Sequence, residues 1–262
     1  ADGDLVTVTA IGAIEESGAD GAADITAATI DLNARTGIGA AATLEITGTS
    51  ISADVTNTGG NIDIDSLATA PVTATSLTTI GVGSSIQFDQ TGNQTLSVTK
   101  ATTADGPITI TNAGADLTAA TVTAGGTARN VTLTTTGAGN VTVGNITSTS
   151  GTVAITAFGS IYDDGSDATD ITAGLNGTVN LTAGAAGDIG APGGAGTIPA
   201  NYLDIDLTGP PTAIGLTMTA GNDLYLNFLN GAMTSTTFGG VLPAGLANIG
   251  IGVTGNNFTF DD

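Results

Sequence analysis

Four carboxylates crowd into eight residues at Tyr162-Asp-Asp-Gly-Ser-Asp-Ala-Thr-Asp170, namely Asp163, Asp164, Asp167 and Asp170, around a glycine turn. Hard oxygen ligands on a turn suit Ca2+, and like charges so close repel unless a cation or water screens them. The spacing is neither that of an EF-hand loop nor of the Gly-Gly-x-Gly-x-Asp nonapeptide repeat. A solvated corner loop is the plain alternative. Two further pairs, Asp63/Asp65 and Asp204/Asp206, alternate with apolar residues. They are expected to point outward on strand faces, where a cation could bridge neighbouring layers.

Other chemistry is poorly supplied. There is no His and no Cys, and the only basic residues are Arg35, Lys100 and Arg129. A nucleophilic triad therefore lacks its usual base, and a lyase acting on acidic polysaccharide lacks the cations that would neutralise its substrate. Paired aspartates resemble glycosidase equipment, but aromatic platforms are scarce at 3% of residues. Gly187, Gly190 and Gly193 precede no lysine at phosphate-loop spacing. The expectation is a protein without catalysis. Thr-x-Thr pairs at Thr7/Thr9, Thr73/Thr75, Thr121/Thr123, Thr132/Thr134, Thr147/Thr149 and Thr217/Thr219 could order water on a flat face. Their uneven offsets argue against one continuous plane, and outward-facing strand threonine is the simpler reading.

With 24 acidic residues against three basic ones, the net charge is −21. Such a surface repels nucleic acid and anionic membranes and attracts divalent cations. No run approaches 18 consecutive apolar residues, so no membrane insertion is expected.

The elements that must position these groups are short and recurrent. Ile108-Thr-Ile110 returns as Val131-Thr-Leu133, Val153-Ala-Ile155, Val179-Asn-Leu181, Leu203-Asp-Ile205 and Leu224-Tyr-Leu226, at steps of 23, 22, 26, 24 and 21. An apolar/polar/apolar triplet repeating every 20 to 30 residues marks a solenoid. Forty glycines and abundant threonine favour strands joined by turns over helices. Anchors at Leu5, Ile30, Leu44, Ile62, Ile86, Ile108, Val131, Val153, Val179, Leu203, Leu224 and Ile251 divide the chain into about a dozen coils. The expected fold is all-β: one parallel β-helix over 1–262, a rod about 55 Å long at ~4.8 Å per coil. Tandem antiparallel β-sandwiches are the alternative, although regular Asn-Gly or Asp-Gly hairpins and aromatic core anchors are missing. The apolar runs begin at Leu5 and end at Phe258-Thr-Phe260 with no amphipathic helix over either. Both strand edges are thus expected to meet protein, either further solenoid segments of a longer chain or identical copies stacked into a filament.

The phrases Gly159-Ser-Ile-Tyr-Asp-Asp164, Asp170-Ile-Thr-Ala-Gly-Leu175, Val179-Asn-Leu-Thr-Ala-Gly-Ala-Ala-Gly-Asp-Ile-Gly190 and Gly221-Asn-Asp-Leu-Tyr-Leu-Asn227 carry a family likeness. They resemble the repetitive shaft of filamentous-haemagglutinin-like bacterial surface adhesins, diffusely, over about Ile86 to Asn230. The resemblance implies a right-handed β-helix, export, and a place at the cell surface or outside the cell in adhesion, matrix or envelope structure. Asn-Pro-Asn-Gly motifs of that family's secretion domain are missing here, and coil length varies more than in its regular shafts. A structural or adhesive rod is therefore the leading expectation. Its partners would be further solenoid segments, copies of itself, surface glycans or other surface proteins. A carbohydrate- or ice-binding solenoid is the alternative.

Overall fold

A computed structural model of the chain describes residues 4–18, 20–57, 59–166, 168–174, 177–192, 201–206, 215–230, 233–234, 248–253 and 258–259. Among these, all regular structure is strand, and no helix is long and apolar enough to cross a membrane. Every pairing between described strands is parallel, which excludes antiparallel sandwiches. The chain is a β-solenoid.

Two sheets form its walls. The first has 13 strands and runs from Leu5–Ala10 through Thr29–Ala34, Ser50–Val55, Val72–Val82, Leu117–Ala124, Val141–Ser148, Leu203–Asp206 and Leu224–Asn230 to Ile249–Val253. The second has 11, running from Ala13–Ile14 through Ile62–Ser66, Ile86–Gln90, Ile108–Ala113, Val131–Thr136, Thr152–Thr156 and Thr178–Thr182 to Gly215–Thr219. A third, two-stranded sheet pairs Met233–Thr234 with Phe258–Thr259; Phe260 lies outside the described residues.

Alternation in sequence becomes alternation in burial. Ile108, Ile110 and Asn112 are buried while Thr109 and Thr111 face outward. Parallel register then stacks like on like. Ile62, Ile86, Ile108, Val131, Val153, Val179 and Leu216 form one column, and Ile64, Phe88, Ile110, Leu133, Ile155, Leu181 and Met218 its neighbour. Each buried side chain of this size contributes about 1.5–3 kcal/mol from the apolar area it removes from water. The two walls share one continuous core.

The stack has about eight turns carrying both walls, not about a dozen. The anchors mix the two sheets. Ile62 to Val179 are successive rungs of the second sheet, whereas Leu203-Asp-Ile205 and Leu224-Tyr-Leu226 belong to the first. The true successor of Val179-Asn-Leu181 is Leu216-Thr-Met218. Period-two alternation is the same on either wall, so a triplet does not reveal which wall it occupies.

Corners need polar groups inside, because turns leave backbone donors and acceptors unpaired. Ser66, Gln90, Asn112 and Thr135 stack as a fully buried polar column at the end of the second sheet. Gln90 donates to Ala68 O and accepts from Gly92 N; Asn112 donates to Ala115 O and Asp116 O; Thr135 donates to Gly139 O. Glycine is required where one coil's corner presses on the next. A Cβ on Gly184 would sit 1.8 Å from Phe158 O.

Candidate functional site

The acidic stretch is an inserted corner of the first sheet. Ile161–Asp163 pairs with the first half of Val141–Ser148 and Ile171–Ala173 with its second half. The segment between must leave the wall and return to it. Gly165, at φ 88°, makes the reversal, and its N–H donates to Asp163 Oδ1 at 3.0 Å. Ser166 N–H donates to Asp164 Oδ1 at 3.0 Å. Asp170 closes the corner, with its carbonyl accepting from Ile146 N–H at 2.7 Å.

Three of the four predicted carboxylates converge. Oxygens of Asp163, Asp164 and Asp170 all lie within 4.8 Å of one another. Asp167 lies outside the described residues. Asp170 is 1% exposed, and its Oδ2 accepts from Asp204 N–H at 2.6 Å. Asp163 Oδ2 and Asp170 Oδ1 are buried without a hydrogen-bond partner. A buried carboxylate oxygen with nothing to bond is costly, and a proton or a cation relieves it. Burial, with the charge of Asp163 adding to it, pushes Asp170 up to about 9. Burial and then the charges of Asp164 and Asp204 raise Asp163 to about 6. Near neutral pH the pair therefore holds about one proton. The residues fit a hard cation: carboxylate oxygens only, on a turn, with two of them unsatisfied.

Asp204 departs from the solvated reading. It is 6% exposed, packed against this corner through its N–H on Asp170, and its Oδ1 accepts from Asn227 Nδ2 at 2.6 Å. Its parity did point it away from the core; what parity could not show is the corner lying beside it. Asp206 remains half-exposed. Asp63 and Asp65 do face outward, half-buried, and Asp65 accepts from Thr91 Oγ1 at 2.7 Å. Glu45, Asp65 and Asp89 share one column on consecutive layers, an acidic ladder that the Asp63/Asp65 pair only hinted at.

The threonines also depart from expectation. Thr111, Thr134, Thr156, Thr182 and Thr219 lie in register on the outer face of the second sheet. Beside them run Thr109, Thr132, Ala154, Asn180 and Thr217. The first sheet carries Thr78, Thr102, Thr123, Thr147 and Thr172 in a second row. Loop insertions between strands vary the sequence offset but leave strand register intact, so uneven spacing hid the rows. A groove runs along the first of these rows, bordered by Thr134, Thr156, Thr182, Phe158 and Gly187. Phe158 stands 60% exposed there. No family model, no curated protein and no solved structure matches this chain.

Proposed function

We propose that the chain is a non-catalytic, extracellular β-solenoid serving as a structural or adhesive rod of the filamentous-haemagglutinin-like kind, in a filament or envelope layer. The observation that carries the reading is the open end of the stack. Among the described residues, Leu5–Ala10 is the outermost strand of the first sheet and pairs on one side only, with Thr29–Ala34. Leu5 is 63% and Ile11 93% exposed at that layer. An unpaired β edge beside exposed apolar residues is a surface on which another β layer docks. Further solenoid segments or a second copy supply such a layer, and continued stacking makes a rod. Ca2+ held by Asp163, Asp164 and Asp170 would fasten a corner of that rod. Antibody labelling of intact cells that produce the protein tests this. Label at the surface or on extracellular material is expected; label only after permeabilisation overturns it.

A second reading, a carbohydrate- or ice-binding solenoid, is favoured by the in-register threonine row and by Phe158 beside it. Sugar rings stack on an exposed aromatic face while hydroxyls bond their rims. Loss of glycan binding in Phe158→Ala supports the carbohydrate version, and inhibition of ice recrystallisation the other. Neither activity in the wild type removes this reading.

A further inference from the structure

A second group of acids lies near the opposite end of the solenoid, far from the corner at Asp163. Leu44 and Ile46 are buried in the core, so Glu45 between them points to the outer face. An outward glutamate belongs in solvent, yet Glu45 is only 9% exposed. Two acids crowd it: Asp24, one rung before Glu45 because Ile25–Thr26 pairs in register with Ile46–Thr47, and Glu16 from the connection that follows Ala13–Ile14. Asp24 N–H donates to the Glu45 carbonyl at 2.8 Å, and Glu15 Oε2 accepts from Ala41 N–H at 2.9 Å. Within the segment, Asp20 N–H donates to Glu16 Oε1 at 3.1 Å.

Strand register for Asp24 and Glu45, and the loop for Glu16, bring carboxylate oxygens of the three within 4.8 Å of one another. Two carboxylate oxygens of these residues, Glu16 Oε2 and Glu45 Oε2, are buried with no hydrogen-bond partner. Asp65 stands next to Glu45 in the following layer and adds to the negative field. No basic side chain answers it: among the described residues the one ion pair is Arg129 with Asp105. Burial, and then the charge of Glu16, raises the Glu45 carboxyl above its ordinary range. A mere cluster of surface acids would spread into water. Here strand register holds Asp24 beside Glu45, and Glu16, whose Oε1 accepts from Asp20 N–H, keeps its Oε2 buried and unsatisfied.

We propose that Glu16, Asp24 and Glu45 form a second divalent-cation site, suited to Ca2+, which clamps the 15–24 segment onto the outer face of the solenoid. Three carboxylates with room for water suit the large, irregular coordination sphere of Ca2+ better than the strict octahedron of Mg2+. The site is independent of the corner at Asp163 and of the rod reading. It fixes a segment that is otherwise held by few backbone bonds.

The test is amide hydrogen exchange on the whole chain at pH 7, in chelator and in Ca2+. Extracellular Ca2+ modules bind with Kd on the order of 0.1–1 mM, so about 10 mM Ca2+ should slow exchange across 15–24 roughly 10- to 100-fold. Glu45→Gln keeps the side chain's size and removes its charge. It should abolish the Ca2+ effect at 15–24 while leaving any effect at 163–170 intact. Asp24→Asn, a change at an exposed position, should weaken the same response at least tenfold if Glu45→Gln does not fold. Exchange at 15–24 that ignores Ca2+ in the wild type, or that slows equally in the variants, overturns the proposal.

Discussion

Replacing Asp170 by Asn should make the protein more stable in chelator, and more so as pH rises. The wild-type pair of Asp163 and Asp170 has oxygens within 4.8 Å of each other, Asp170 buried and Asp163 half-buried. Two unit charges at that distance repel by about 3.5 kcal/mol at an effective dielectric of about 20. The folded state raises both carboxyls, to about 6 and about 9, so it binds more protons than the unfolded chain above the ordinary carboxylate range near 3.8. Its stability is therefore fullest below about pH 4 and falls as pH rises through 9. One proton's difference, set chiefly by burial and then by the neighbouring charge, gives a ceiling of about 1.4 kcal/mol per pH unit, or about 4 kcal/mol from pH 6 to 9. The chain has no His or Cys, so few other side chains titrate in that window. Asn at 170 can still accept from Asp204 N–H and can donate to the orphaned Oδ2 of Asp163. Urea unfolding in chelator at pH 6, 7, 8 and 9, followed by circular dichroism, should show a decline of about 3 kcal/mol for the wild type and under about 1 kcal/mol for Asp170→Asn. Parallel pH curves, or a variant less stable than the wild type at pH 8, would refute the reasoning.

Three other outcomes are expected. Ca2+ binding at the Asp163 corner should release about one proton per ion near pH 7.5, read by titration calorimetry in buffers of different ionisation enthalpy, and Asp170→Asn should release none. Gly184→Ala should cost about 3 kcal/mol in urea unfolding, because its Cβ would meet Phe158 O, whereas Gly165→Ala, with open space around it and only φ 88° to satisfy, should cost about 1–2 kcal/mol. Phe88→Ala, at the centre of a core column, should cost about 3–5 kcal/mol, while Ile11→Ser, at a 93% exposed position, should leave the unfolding curve of the isolated chain within about 0.5 kcal/mol and weaken end-to-end association measured by sedimentation.

The solenoid was legible because strand parity and coil period are both properties of neighbouring residues. Ile108-Thr-Ile110 announces its strand by itself, and its echoes to Val179 turned out to be true rungs. What failed was assigning a triplet to a wall. Leu203-Asp-Ile205 reads like Val179-Asn-Leu181 but sits in the other sheet, and Ile30 and Leu44, read as two coils, lie on the two walls of one turn. The acidic corner at Asp163, Asp164 and Asp170 could be read because its members are close in sequence. Glu16 could not be joined to Asp24 and Glu45, since a loop brings it to them, whereas Asp24 and Glu45 are successive rungs. One trace existed: Glu45, Asp65 and Asp89 recur at about one coil length, a vertical acidic column that a search at the coil period would find. The same search would have found the threonine rows.

Cryo-electron microscopy of the native material, imaged with and without chelator, tests the proposed rod most directly. Rods are expected whose axial repeat of about 4.8 Å runs unbroken through Leu5–Ala10 into a further β layer. Separate particles whose first layer faces water, at every concentration and with Ca2+ present, would contradict it.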